Sequence, residues 1–221
     1  MADLAVVFDM DGTLVTFNFD VQGTRRALLG ELTSRGFDTT DLSLTSPTQA
    51  IMDSVREQIL SGRVSADLVE VRGKLYSMLD TFELDSASST LVLPQTRETL
   101  DYLRAKSVRM GVLTNSGRRG AIAVLDRSGL KDRFEFILTR DEVEAMKPRP
   151  EGVRKASELL GVPPEKVYYV GDSLYDVQAA KDAGAKAVSV TTGNYSSQRL
   201  KERGADYVIS SIAELPSILG L

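Results

Sequence analysis

Apolar residues fall along this chain in two rhythms. Short runs without alternation, at residues 4–8, 108–113, 134–138, 167–170, 187–190 and 207–209, suit strands covered on both faces. The segments between the later runs carry helix signals. Pro94 stands early in one of them, and Gly129, Gly161, Gly184 and Gly204 follow periodic stretches as stops. Strand–helix alternation of this kind predicts an α/β fold, a doubly wound parallel sheet of Rossmann-like type. Residues 16–91 break the alternation. Leu28, Leu29 and Leu32, then Ile51, Val55 and Ile59, then Leu68, Val71, Leu75 and Leu79 read as helical throughout, and the last series, at spacings of three and four, marks a one-sided stripe. Polar stretches at 36–47 and 61–65 separate these helices, and 85–90 (DSASST) reads as the linker back to the sheet. The expected organisation is therefore a core from 1–15 and 92–221, with a helical insertion at 16–91.

Composition narrows the chemistry sharply. The 221 residues include no cysteine and no histidine. Thiolate nucleophiles, imidazole acid/base groups and zinc sites built on Cys or His are thereby excluded. Any catalysis must use carboxylates, lysines, hydroxyls and backbone groups, and any metal must be a hard cation on oxygen ligands. With 42% hydrophobic and 26% charged residues the chain can bury an ordinary core. Its formal charge of -4 offers no basic field for nucleic acid or anionic membranes, and neither is expected as a partner. The opening MADLAVVFDMDG is acidic at position 3, and its apolar run is too short for a signal peptide or a membrane span. A cytoplasmic location is expected.

Four short motifs stand where parallel strands should end, the edge at which open α/β sheets bind ligands. Asp9-Met10-Asp11-Gly12-Thr13 follows the first apolar run directly. Two carboxylates leaving one strand end can divide the labour of attack and proton transfer, provided a cation offsets their repulsion. Thr114-Asn115-Ser116 follows the second run; a hydroxyl and adjacent N–H groups there can hold phosphoryl oxygens. Lys147-Pro148-Arg149-Pro150 offers a lysine to balance the aspartates, on a stretch stiffened by proline. Gly171-Asp172-Ser173-Leu174-Tyr175-Asp176 places two more carboxylates four residues apart. Taken singly, the last three read equally well as a turn, a surface loop and a helix cap.

In order and spacing the four motifs resemble the haloacid dehalogenase-like superfamily, whose pattern is D-x-D-G-T, a strand-end Thr/Ser, a Lys and G-D-x-x-x-D. The resemblance extends nearly end to end, includes residues 179–184, and points to the helical-cap, phosphoglycolate phosphatase-like branch. It implies that Asp9 is the nucleophile forming an aspartyl-phosphate and Asp11 the acid and base. It also implies that Thr114, the Asn115 backbone and Lys147 cradle the phosphoryl oxygens. Mg²⁺ would sit on Asp9, Asp172 and the Asp11 main-chain carbonyl, with Asp176 orienting bound water or Lys147. An acid at position 11 separates phosphate-ester chemistry from dehalogenation, because a halide leaves without a proton. The implied activity is hydrolysis of a small phosphorylated metabolite, with phosphoglycolate-like, sugar-phosphate and nucleotide substrates all open. A phosphomutase of the same fold and a phospho-acceptor module resembling response regulators are the alternatives. One departure concerns the insertion: Thr16 stands where many relatives carry Asp. Phe17, Asn18, Phe19, Arg25 and Arg26 are candidates for facing the substrate.

Overall fold

Among the described residues, six strands, β1 (Ala5–Phe8), β2 (Arg109–Leu113), β3 (Ile137–Leu138), β4 (Val167–Gly171), β5 (Lys186–Val190) and β6 (Tyr207–Ile209), form one sheet. Its order is β3-β2-β1-β4-β5-β6, with every pairing parallel. The computed structural model describes residues 4–221. They divide into two compact units, the first joining the N-terminal segment up to Phe17 with Ser89–Leu221, the second spanning Asn18–Ser88. Among the described residues no helix is long and apolar enough to cross a membrane.

The strand runs are continuous because both faces are covered. Ala5 and Val7 pack into a cluster with Val153, Ala156, Val177 and Ala180, while Val6 and Phe8, alternating to the other face, are equally buried. Phe8 lies level with both Val112 of β2 and Val170 of β4. That register brings the chain just beyond all three strands to one edge of the sheet.

Helices α1 (Val21–Ser34), α2 (Thr48–Leu60) and α3 (Leu68–Ala87) make up the second unit. Leu28 and Leu32, Ile51 and Val55, and Val71, Leu75 and Leu79 are its buried stripes. Asp20 and Asp67 accept from Gly23 N and Glu70 N and so cap α1 and α3. Helices α4 (Thr96–Ala105), α5 (Arg118–Arg127), α6 (Glu151–Leu159), α7 (Leu174–Ala183), α8 (Ser197–Arg203) and α9 (Leu215–Leu219) belong to the first unit. The anticipated glycine stops are present, and Gly184 and Gly204 cap α7 and α8 in the left-handed conformation that glycine adopts without steric cost.

Three local expectations are corrected. The strand anticipated at 134–138 shrinks to Ile137–Leu138. The Phe136 ring fills the place where a Cβ on Gly111 would stand, only 2.2 Å from its nearest carbon. This ring packing goes with an irregular approach, in which Glu135 N donates to Met110 O and Val112 N to Phe136 O. The linker anticipated at 85–90 is half helix, because α3 runs to Ala87. Ser86 returns its hydroxyl to Glu83 O at 2.9 Å, so a serine there continues the helix rather than ending it. Finally, Pro94 lies outside α4, which starts at Thr96 after Gln95 takes a φ of 63°.

Candidate active site

Asp9 extends β1 by one residue, its N–H donating to Val170 O at 2.8 Å. The chain then turns tightly, with Leu14 N and Val15 N both returning to Met10 O. Gly12 closes the turn at a φ of 81°. A side chain there would be excluded twice over, since a Cβ would also lie 2.5 Å from Asp172 Oδ2.

Lys147 is the centre of the site. Its buried Nζ lies 2.5 Å from Asp9 Oδ1 and 2.6 Å from Asp176 Oδ1. Its backbone is held by the Asn115 carboxamide: Lys147 N donates to Asn115 Oδ1 at 2.9 Å, and Asn115 Nδ2 donates to Lys147 O at 3.0 Å. The peptide that follows, Lys147–Pro148, is cis. Asp176 is fixed in turn by the first turn of α7. Ser173 N and Oγ both donate to Asp176 Oδ2, and Asp176 N returns to Ser173 Oγ, a reciprocal cap. The Tyr169 hydroxyl stands 3.2 Å from Asp176 Oδ1 and 3.1 Å from Leu113 O.

Thr114 and Ser116 follow directly on β2. Thr114 N continues the sheet to Leu138 O, and its buried hydroxyl accepts from Ser116 N at 3.0 Å, leaving its hydrogen to donate. Ser116 Oγ donates to Asp11 Oδ2 at 2.9 Å. The two aspartates of the first motif are thus differentiated. Asp9 is ion-paired, and Asp11 is hydrogen-bonded to a neutral hydroxyl.

Four carboxylates around one ammonium leave an excess of negative charge. Burial pushes the Asp9 carboxyl well above the usual range, with Asp176 and Asp172 adding to the effect and Lys147 opposing it. Burial also raises Asp11 against the pull of Ser116 and Lys147. Asp172 is raised to about 7 by burial, then by Asp176. Burial works against the charge on Lys147, but Asp176 and Asp9 outweigh it and hold the ammonium well above the ordinary lysine range. The charge deficit fits a divalent cation. One oxygen each of Asp9, Asp172 and Asp176 lies within 4.8 Å of the others, and with Asp176 engaged by Lys147 and Ser173, Asp9 and Asp172 are the hard donors left for such an ion.

All seven residues singled out in the sequence, Asp9, Asp11, Thr114, Asn115, Lys147, Asp172 and Asp176, therefore belong to one edge of the first unit. Asn115 is placed there by its side chain as well as its backbone. Ser116 as partner of Asp11 and Tyr169 as partner of Asp176 depend on strand placement and leave no mark in the sequence, whereas the Ser173–Asp176 pair is a local cap that the S-x-x-D spacing signals. Among the candidates in the insertion, Phe17, Asn18 and Arg26 are exposed, whereas Arg25 is buried with Nε donating to Ser46 O at 2.8 Å.

A parallel α/β sheet with an aspartate pair after its first strand, a buried lysine after its third and a further aspartate pair after its fourth defines a class of carboxylate-dependent hydrolases. The haloacid dehalogenase-like hydrolase family model matches residues 4–184, and the chain belongs to that family. It is 29% identical over 220 residues to a phosphoglycolate phosphatase of Chromobacterium violaceum, covering 97% of this chain and 96% of that one. A phosphoglycolate phosphatase of Pseudomonas syringae pv. tomato is 31% identical over 234 residues, with 98% and 80% covered. The solved structure of a hydrolase from Pseudomonas syringae superposes with a TM-score of 0.70 over 98% of both chains at 22% identity, a likeness of fold.

Proposed function

We propose that the protein is a phosphatase that hydrolyses a small phosphomonoester, a phosphoglycolate-like, sugar-phosphate or nucleotide substrate, through an aspartyl-phosphate on Asp9. The observation that carries this reading is the differentiation of the aspartate pair: Asp9 is paired with Lys147 and Asp11 is bonded to Ser116. Phosphoryl transfer asks mainly for positioning and charge stabilisation. An Asp9 oxygen attacks phosphorus in line as the ester P–O bond breaks, and Asp11, protonated, gives its proton to the departing oxygen. Burial of Asp11 favours that protonated form. Asp11 then takes a proton from the water that attacks phosphorus, the acyl phosphate bond breaks, and phosphate leaves with Asp9 regenerated. Thr114, the Asn115 backbone and Lys147 are assigned to the phosphoryl oxygens, and Asp176 to holding Lys147 in place. Asp9, Asp172 and the Asp11 carbonyl are the residues that would hold Mg²⁺, which supplies compensating positive charge for the carboxylates and the transferred group. The helical insertion is assigned the role of a cap that selects among phosphomonoesters.

The test is phosphate release from a panel of metabolite phosphates. Chelation of divalent ions should reduce turnover to background, and added Mg²⁺ should restore it; activity that persists in excess chelator overturns the assignment. Asp11→Asn should lower kcat by about 10²–10⁴-fold on an alkyl phosphate, whose leaving oxygen needs a proton. The loss should be smaller in the first half-reaction with p-nitrophenyl phosphate, whose leaving group departs without one. Equal burst rates for variant and parent on both substrates would reject the acid role.

A further inference from the structure

The loop after β5, residues 191–196, is absent from the motifs that carry the family resemblance, yet it touches two of them. Thr192 Oγ1 donates to the carbonyl of Gly12, across 180 positions of sequence. The next residue, Gly193, lies so near Asp172 that a Cβ on it would stand 1.8 Å from Oδ2 and 2.6 Å from Cγ. A Cβ on Gly12 would reach the same oxygen at 2.5 Å. The Asp172 carboxylate is therefore pinched between two glycine backbones, one on each of two loops, and the Thr192 hydroxyl ties those loops together. Sheet order creates the arrangement. β5 lies beside β4 with Ser189 level with Gly171, so the chain leaving β5 passes over the residue that ends β4. Thr191 N, bonded to Ile209 O at 3.0 Å, anchors the loop from its other side to β6.

We propose that Thr192 and Gly193 are positioning residues for the divalent cation, holding the Asp172 carboxylate and the Gly12 turn at a fixed separation. This rests on the phosphatase reading above only in naming the ion as Mg²⁺. Mg²⁺ tolerates little departure from octahedral geometry, so a carboxylate restricted to one orientation binds it with less reorganisation. Groups that orient ligands without touching the metal are typically worth about 10–100-fold in affinity.

The experiment measures Mg²⁺ binding directly, by isothermal titration calorimetry on protein without substrate, alongside the Mg²⁺ dependence of turnover. Thr192→Val preserves shape and removes the hydroxyl. It should raise the Mg²⁺ dissociation constant about 10-fold, while the substrate KM at saturating Mg²⁺ stays within about two-fold of the parent value. Thr192→Ser, which keeps the donor, should restore the affinity. Gly193→Ala should weaken Mg²⁺ binding further than Thr192→Val, since its methyl group needs the space that Asp172 occupies. Should Gly193→Ala fail to fold, the valine and serine pair still decides. Parental Mg²⁺ affinity in Thr192→Val, or no recovery in Thr192→Ser, overturns the proposal. Absence of Mg²⁺ binding by the parent protein overturns the metal assignment itself, a result distinguishable from either.

Discussion

Asp9→Asn is expected to yield a folded protein with phosphatase activity lowered by at least about 10³-fold, because a carboxamide cannot replace the carboxylate as nucleophile. The fold should tolerate the change. The amide has nearly the shape of the acid, its oxygen can still accept from Lys147, and the repulsion that Asp176 and Asp172 exert on Asp9 is removed. The check pairs initial rates with circular dichroism and an acid quench followed by intact-mass measurement. Parent protein should carry one phosphoryl group in the steady state when hydrolysis of the intermediate limits turnover, and the variant none. A phosphorylated, active Asp9→Asn protein would transfer the nucleophile role to another residue.

The second large effect is expected at Lys147. In Lys147→Met the side chain keeps its approximate volume, so the loss of charge is separated from the loss of packing. The buried Asp9 and Asp176 carboxylates, both within ion-pair distance of Nζ, are then left without their shared partner. Removing one member of a buried ion pair typically costs about 3–5 kcal/mol. For a chain of this length that is a fall in Tm of roughly 6–20 °C, measured in chelator so that no cation substitutes for the lysine. The deficit has a pH signature. In the parent, burial raises the Asp9 pKa against the opposing pull of Lys147; with that pull removed, the folded variant takes up the proton at a higher pH than the folded parent does, while the unfolded chains do not differ. Stability relative to the parent should therefore recover as pH falls through the acidic range. A Tm equal to the parent's at neutral pH would show that the lysine is not the counter-charge for these carboxylates. Turnover should also fall to near background, since the phosphoryl oxygens lose a cation.

Much of the fold was legible because burial imposes a pattern on the residues that undergo it. Unbroken apolar runs marked the strands, spacings of three and four marked the insertion, and glycines marked the ends of α7 and α8. Where the structure departs from these patterns, a tertiary contact is responsible at β3, and local bonding and turn geometry are responsible at the ends of α3 and α4. Phe136 packed over Gly111 goes with a shortened β3. Serines near position 86 look like a linker but bond back to the preceding turn and prolong α3. Pro94 resembles a helix opener, yet the chain makes one more turn at Gln95 first.

The candidate site divides in the same way. The residue types were compulsory from the sequence: without histidine or cysteine, catalysis falls to carboxylates and a lysine, and Asp9 and Asp11 stand directly after an apolar run. Their partners were decided by the tertiary structure. Strand order sets β4 against β1 and β2 against its other side, so Lys147 reaches Asp9 across 138 positions and Ser116 reaches Asp11 across 105. A linear pattern records which side chains leave water. It carries no record of which strand becomes whose neighbour, and that choice gives Asp9 a lysine, Asp11 a serine, and Asp172 a seat between two glycines.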